Sequence, residues 1–232
     1  MAIKYTYLGH GAHSLEIGGK QILVDPFLSD NPSAQVSADQ VAADYILISH
    51  GHFDHIGDTV AIAQRTGATV ISNFEIVSWL QRQGIPEDQT HPHHIGGGFN
   101  YDFGYVKLTI AHHGSALPDG SYGGNPSGFL ITAEGKKLYL TCDTGLFETM
   151  RLYGEEGIDL MVLPIGDNFT MGPDDALRAV KLVKPRLAVP SHYSTWPLIE
   201  QDAQAWAQRV QSETQTKVHV LSPGSSITIN NE

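Results

Sequence analysis

The order of apolar and polar positions divides the chain into strand and helix segments. Ile3-Lys4-Tyr5-Thr6-Tyr7-Leu8 alternates, turns at Gly9-His10-Gly11, and alternates again over Ser14-Leu15-Glu16-Ile17. Gly18-Gly19 signals a hairpin into Gln21-Ile22-Leu23-Val24, which ends at Asp25-Pro26 because proline cannot donate to a ladder. Residues 29–43 read as a polar loop. Tyr45-Ile46-Leu47-Ile48 is a continuous apolar run, as expected of a buried strand. A helical pattern then runs from about Asp54 to Arg65, closed by Gly67. A strand over Ala68–Ile71 and a helix over Phe74–Gln83, stopped by Gly84, complete this half.

Residues 90–142 return to strands and glycine-rich turns, with Gly96-Gly97-Gly98 as a turn or close-approach element and strands over Tyr105–Ala111 and Lys137–Leu140. Lys136-Lys137 reads as a hairpin edge. A strand at Asp159–Leu163, a helix at Pro173–Val183, a strand at Leu187–Val189 and a helix at Leu198–Thr214 follow, and Val218–Leu221 and Ser226–Ile229 close the chain as strands. Each half runs strands first and helices later. That order predicts an α/β fold, a pseudo-symmetric αββα sandwich, with 1–232 as a single domain and no linker or low-complexity segment.

Composition narrows the function classes. The 232 residues are 41% hydrophobic and 17% charged, enough for a substantial core. Fourteen Lys+Arg against 25 Asp+Glu give a net charge of −11, and no basic run is present, so nucleic acid is a disfavoured partner. The segment Met1–Leu8 lacks the apolar core of a signal peptide, and no apolar run reaches the length of a membrane span. A single cysteine, Cys142, cannot form an internal disulfide. Cytoplasmic residence is the expectation, and homo-oligomerisation stays open.

The chemistry concentrates in His50-Gly51-His52-Phe53-Asp54-His55, four potential ligands at the end of an apolar strand. In extended backbone, positions i and i+2 face the same way, so His50 and His52 can address one metal ion. The turn into a helix lets Asp54 and His55 reach a second position. Imidazole and carboxylate are the usual ligands of zinc and its neighbours. Further candidates follow later strands: His112-His113, Asp143 and His192.

These residues resemble the signature of the metallo-β-lactamase superfamily, and within it the small stand-alone bacterial metal-dependent hydrolases. The resemblance extends over nearly the whole chain. It includes Leu8-Gly9-His10, Leu23-Val24-Asp25-Pro26-Phe27, His94-Ile95-Gly96-Gly97, Asp143-Thr144-Gly145-Leu146-Phe147, Asn168-Phe169-Thr170-Met171-Gly172 and His192-Tyr193-Ser194-Thr195-Trp196-Pro197. It implies the metallo-β-lactamase fold and two divalent ions, zinc ahead of manganese, nickel or iron. By this resemblance His50, His52 and His113 hold one ion, Asp54, His55 and His192 the other, and Asp143 bridges them. The family's Thr-x-Ala-x-His pattern selects His113. His112, where relatives often carry an aromatic residue, is left to contact substrate or compete as a ligand.

Other residues carry two readings. Asp25 either caps a strand end or orients a ligand histidine. His10 either faces the site or fills a turn. Cys142, where relatives often have glycine, reads as a small buried hydrophobe rather than a ligand. His91 and His93 read as solvated loop, with His94 as pocket lining. Trp79 and Trp206 fit a core or an interface, and Trp196 the pocket mouth. Asp174-Asp175 complements a helix dipole.

The resulting expectation is a metal-dependent hydrolase that uses a metal-bridging hydroxide on a small-molecule ester, lactone or phosphodiester, with Asp54 as the catalytic carboxylate. The rivals are an RNA- or DNA-processing metallo-nuclease and a non-enzymatic metal-binding protein of the same fold. A diiron redox role is disfavoured, because such members usually carry a carboxylate where this chain has His52.

Overall fold

The computed structural model describes residues 2–230, so Met1, Asn231 and Glu232 lie outside the described residues. The first sheet contains β1 (Ile3–Gly9), β2 (Ala12–Ile17), β3 (Lys20–Val24), β4 (Tyr45–Leu47), β5 (Thr69–Asn73) and β6 (Thr90–His93). The second contains β7 (Gly98–Tyr101), β8 (Gly104–Ile110), β9 (Ser127–Ala133), β10 (Lys136–Leu140), β11 (Leu160–Pro164), β12 (Leu187–Ser191) and β13 (Lys217–Val218). The last strand, β14 (Ser226–Ile229), returns to the first sheet beside β1. Six helices are described: α1 (Phe53–Ile56), α2 (Thr59–Thr66), α3 (Phe74–Arg82), α4 (Met150–Gly154), α5 (Pro173–Val183) and α6 (Ala203–Glu213).

The spatial orders are β14-β1-β2-β3-β4-β5-β6 and β13-β12-β11-β10-β9-β8-β7. In each sheet three pairings are antiparallel and three parallel; helices join the parallel pairs except β3–β4, which the loop of residues 25–44 connects. This is the pseudo-symmetry expected from two halves that each run strands first. The inner faces meet in one core, with Leu15, Ile22, Leu47 and Ile71 against Phe129, Ile131, Leu138 and Val162. Outside the first sheet, Ile46, Ile48 and Val70 pack on Ile62 of α2 and Ile76 and Leu80 of α3. Outside the second, Tyr139, Met161 and Ala188 pack on Leu177 and Val180 of α5 and Trp206 of α6. The result is a four-layer αββα sandwich.

Helix α5 matches its sequence reading. Pro173 occupies the first turn, Asp174 and Asp175 sit at the positive end of the dipole, and Leu177, Val180 and Val183 bury one face. Elsewhere the tertiary structure overrides the local pattern. The expected 54–65 helix is two helices, because Gly57 ends α1 and Asp58 turns its carboxylate to Leu28 N and Ser29 N. The expected 198–214 helix begins at Ala203, where Asp202 caps Ala205 N, and Pro197–Ile199 form a separate 3-10 turn. The 218–221 strand shrinks to Lys217–Val218 at the sheet edge, shortly before Pro223 and Gly224. Residues 90–93 are not solvated loop but edge strand β6. There Pro92 is tolerated, and buried His93 contacts the Tyr101 hydroxyl at 2.7 Å through Nε2. His91 is half-buried against Phe99. Trp79 and Trp206 are both buried, in the two outer clusters.

Candidate metal centre

The chemistry-bearing residues collect where strands end at one rim of the sandwich. His10 follows β1, Asp25 follows β3, His50 lies just past β4, His113 past β8, Asp143 past β10 and His192 directly past β12. Several of these ends need a left-handed backbone, with φ of 55° at His10, 46° at Asp25, 50° at Cys142 and 51° at His192. Such conformations cost of order 1–3 kcal/mol each for non-glycine residues and cluster at functional sites. They let a strand stop abruptly and aim its last side chain across the rim.

Three groups of donors result among the described residues, one of them the buried set Asp25, His50 and His55 and the other two facing the rim. Nitrogens of His50, His52 and His113 lie within 4.8 Å of one another, and so do donor atoms of His10, Asp54, His55 and His192. His52 Nδ1 stands 3.0 Å from His50 Nε2 and 3.3 Å from His113 Nε2. Asp143 lies between the two rim groups. Its Oδ2 is 3.6 Å from His113 Nε2, 3.3 Å from His55 Nε2 and 3.0 Å from His192 Nε2. The Nε2 atoms of His55 and His192 are buried without a hydrogen-bond partner among the described residues.

Hydrogen bonds behind the cluster assign its tautomers. Asp25 accepts from Ser49 N at 2.7 Å and from Ser49 Oγ, and its Oδ2 lies 3.0 Å from His55 Nδ1. A carboxylate only accepts, so His55 carries a proton on Nδ1 and turns Nε2 towards Asp143 and the cluster. Ser49 gives its hydroxyl proton to Asp25, so its oxygen accepts from His50 Nδ1 at 2.9 Å. His50 therefore presents a bare Nε2. His10 is the opposite case. Its Nε2 donates to Asp54 Oδ2 at 3.0 Å and its Nδ1 accepts from the Thr195 hydroxyl at 2.9 Å. Of the two readings left open by sequence for each residue, the contacts favour Asp25 as a partner of His55 directly and of His50 through Ser49, and His10 as facing Asp54. Gly11 is needed for close approach, since a Cβ there would lie 2.6 Å from His55 Cε1.

The charges follow. Burial alone would raise the Asp54 and Asp143 pKa values. His10 and His192 hold Asp54 well below the usual carboxylate range, and His192 and His55 do the same for Asp143. Burial would lower His192, but the Asp143 and Asp54 carboxylates raise it to about 9. Burial keeps His50, His52 and His113 below the ordinary imidazole value. Two ionised carboxylates thus hold positive charge on His192 and His55 beside three histidines that burial keeps neutral, and a divalent cation can take the place of those protons.

A cavity of about 420 Å³ opens above this cluster, lined by His52, Asp54, His113, Asp143 and His192 with Phe53, Phe169, Trp196 and Leu198. Trp196 thus stands at the mouth, as expected. His112 does not line it: the ring is exposed and stacks on Phe147 with centroids 4.9 Å apart. His94 is exposed and away from the cavity, which corrects its reading as pocket lining. Cys142 packs against the inter-sheet core, and burial pushes its thiol up. The sequence assigns no role of their own to Ser49 or to Thr195, which stands within the His192–Pro197 motif. Ser49 directly precedes the histidine motif, a position that could have flagged it, but nothing local tells that Thr195 meets His10 across 185 positions.

Comparison with known proteins gives the family and the fold. A profile of the beta-lactamase superfamily domain matches residues 20–193. A UPF0173 metal-dependent hydrolase of Carboxydothermus hydrogenoformans is 49% identical over 98% of this chain and 100% of its own length. One from Pelotomaculum thermopropionicum is 48% identical over 97% and 99%. The solved structure of Igni18, described as a novel metallo hydrolase from Ignicoccus hospitalis, is 36% identical, covers 100% of both chains and superposes with a TM-score of 0.90. With its αββα architecture and rim of histidines and aspartates, the chain belongs to the metallo-β-lactamase superfamily, among the UPF0173 metal-dependent hydrolases.

Proposed function

We propose that the protein hydrolyses a small ester, lactone or phosphodiester at a dinuclear centre. His50, His52 and His113 would hold one divalent ion and Asp54, His55 and His192 the other, with Asp143 shared. Zinc comes first among the candidates, followed by manganese, nickel and iron. The observation that carries this reading is Asp143 Oδ2, which lies within 3.6 Å of nitrogens from both rim groups. The buried Nε2 atoms of His55 and His192 make no well-formed hydrogen bond and crowd Asp143 Oδ2 within 3.3 Å, which fits the same assignment, because a divalent ion can replace the protons between them. His10 is outside the ligand set, since both its nitrogens are already engaged.

Bound divalent ions supply a water of lowered pKa and polarise the scissile bond. The chain's own residues do the rest. Asp54 faces the cavity and, held by His10, orients the attacking water and accepts its proton. Asp25 and Ser49 fix the tautomers of His55 and His50. Phe53, Trp196, Phe169 and Leu198 exclude bulk water from one side, which strengthens every charge interaction inside. The unit acts as a single domain. No helix among the described residues is long and apolar enough to cross a membrane. We place the protein in the cytoplasm, where its lone cysteine stays reduced.

The test is metal content by elemental analysis after saturation with Zn²⁺ or Mn²⁺, combined with a hydrolytic substrate panel. Two ions per chain and metal-dependent turnover are expected. A reproducible single ion sinks the dinuclear assignment, and no turnover across the panel sinks the hydrolytic one.

A further inference from the structure

The cavity has two unlike halves. Its floor is the histidine–aspartate cluster, and its wall is Phe53, Phe169, Trp196 and Leu198. Phe53 is 59% exposed, Phe169 52% and Leu198 70%, so three of the seven large hydrophobic side chains exposed among the described residues stand at this one mouth. They come from separate segments: the start of α1, the loop before α5 and the turn before α6. The wall is braced from behind. Buried Phe27 meets Phe53 edge-on at 5.9 Å, and Trp196 meets His10 edge-on at 4.7 Å. Large apolar groups left in water at a cavity mouth mark a binding surface.

Charge points the same way. Among the described residues lining the cavity there is no lysine or arginine, while two carboxylates face it. The ions proposed at the floor would pair charge at the reacting group alone, so the remainder of the substrate, seated on four apolar side chains with no lysine or arginine near, is uncharged, since desolvating an unpaired charge is expensive. A nucleic acid would further lack the basic track that neutralises its backbone.

Resting on the hydrolytic reading above, we infer that the substrate is an uncharged carboxylic ester or lactone carrying an aryl or medium-length alkyl group, seated on Phe53, Phe169, Trp196 and Leu198. The step consumes one water. The water oxygen bonds to the carbonyl carbon, and the carbon–alkoxy bond breaks with its electron pair passing to the alkoxy oxygen, which takes a proton. The products are an alcohol and a carboxylate, with one proton released; a lactone yields both groups in one molecule. The volume of about 420 Å³ falls in the small-molecule range of roughly 300–1,000 Å³.

The experiment uses metal-loaded protein and p-nitrophenyl acetate, butyrate, hexanoate and octanoate, with bis(p-nitrophenyl) phosphate as the anionic arm. The expected result is a kcat/KM that rises about two- to fourfold per methylene, the upper value corresponding to ~0.8 kcal/mol per fully buried CH₂. Leu198→Ser and Phe169→Ser, both at exposed positions, should flatten that slope with metal content unchanged. A flat or falling series, or preference for the phosphodiester, overturns the inference and leaves the hydrolytic reading standing. If nothing is turned over, the hydrolytic reading fails and a binding measurement judges the pocket. Titration with 1-octanol should change the tryptophan emission in a saturable way that Trp196→Phe abolishes, whereas diethyl phosphate should leave it unaltered. No octanol-dependent change sinks the apolar subsite.

Discussion

His10 Nε2 donates to Asp54 Oδ2 at 3.0 Å while His10 Nδ1 accepts from the Thr195 hydroxyl at 2.9 Å, so Asp54 is anchored by a fully buried imidazole in a defined tautomer. The contact joins the strand-end turn after β1 to the helix start after β4 and to the loop after β12. One oxygen of Asp54 is thereby committed, and the orientation of the carboxylate in the cavity is set. His10→Ala should lower kcat by roughly 10- to 100-fold, the range for residues that orient metal-site ligands. Thr195→Val should cost less, because it loosens only the tautomer. Steady-state kinetics on protein of measured metal content decide this, and an unchanged kcat in His10→Ala rules the anchoring role out.

Asp54 itself separates ligation from proton handling. Asp54→Asn keeps shape and one oxygen but loses the charge that accepts the water's proton. A loss of about 10²–10⁴-fold is expected, and excess metal should not restore it. His55→Ala is the comparison, since it should lower metal occupancy without removing a carboxylate. Near wild-type turnover of Asp54→Asn with two ions bound would reduce Asp54 to a replaceable ligand.

The adjacent histidines give a test of register. His113 Nε2 faces His52 and Asp143, whereas His112 stacks on Phe147 outside the cavity. His113→Ala should therefore strip metal and activity together. His112→Ala should retain metal, with at most a modest cost from the lost stacking. The opposite pattern in elemental analysis would show that the wrong imidazole has been assigned.

Acid sensitivity should have a contribution remote from the centre. Burial, aided by the neighbouring His91, lowers the His93 pKa to about 4 from an ordinary 6.5. Protonation thus favours the unfolded chain. The stability this residue contributes is fully present above pH ~6.5 and is lost as the pH falls towards about 4. After discounting for solvent screening the effect is on the order of 1 kcal/mol. His93→Gln should make the decline in Tm between pH 6.5 and 4 shallower. An identical acid limb in the variant and the wild type contradicts this.

Local pattern by itself determined much of this protein. Alternation at Ile3–Leu8, the apolar run at Tyr45–Ile48 and the capped period of Pro173–Val183 each specify their element, because strand and helix burial repeat at 2 and 3.6 residues. The order of those elements implied the paired halves, and the dense spacing of His50, His52, Asp54 and His55 marked the chemistry. Tertiary structure alone decided the remainder. Asp58 breaks a helix because its carboxylate is used by Leu28 and Ser29, roughly 30 positions away in sequence. His93 leaves the solvated loop because β5 offers it a strand partner and Tyr101 a hydroxyl. His10 is bonded to Asp54 through one nitrogen and to Thr195, 185 positions on, through the other. Which atom of a histidine is free depends on what the other atom touches, and that contact is made in space, between residues whose separation along the chain leaves no periodic trace.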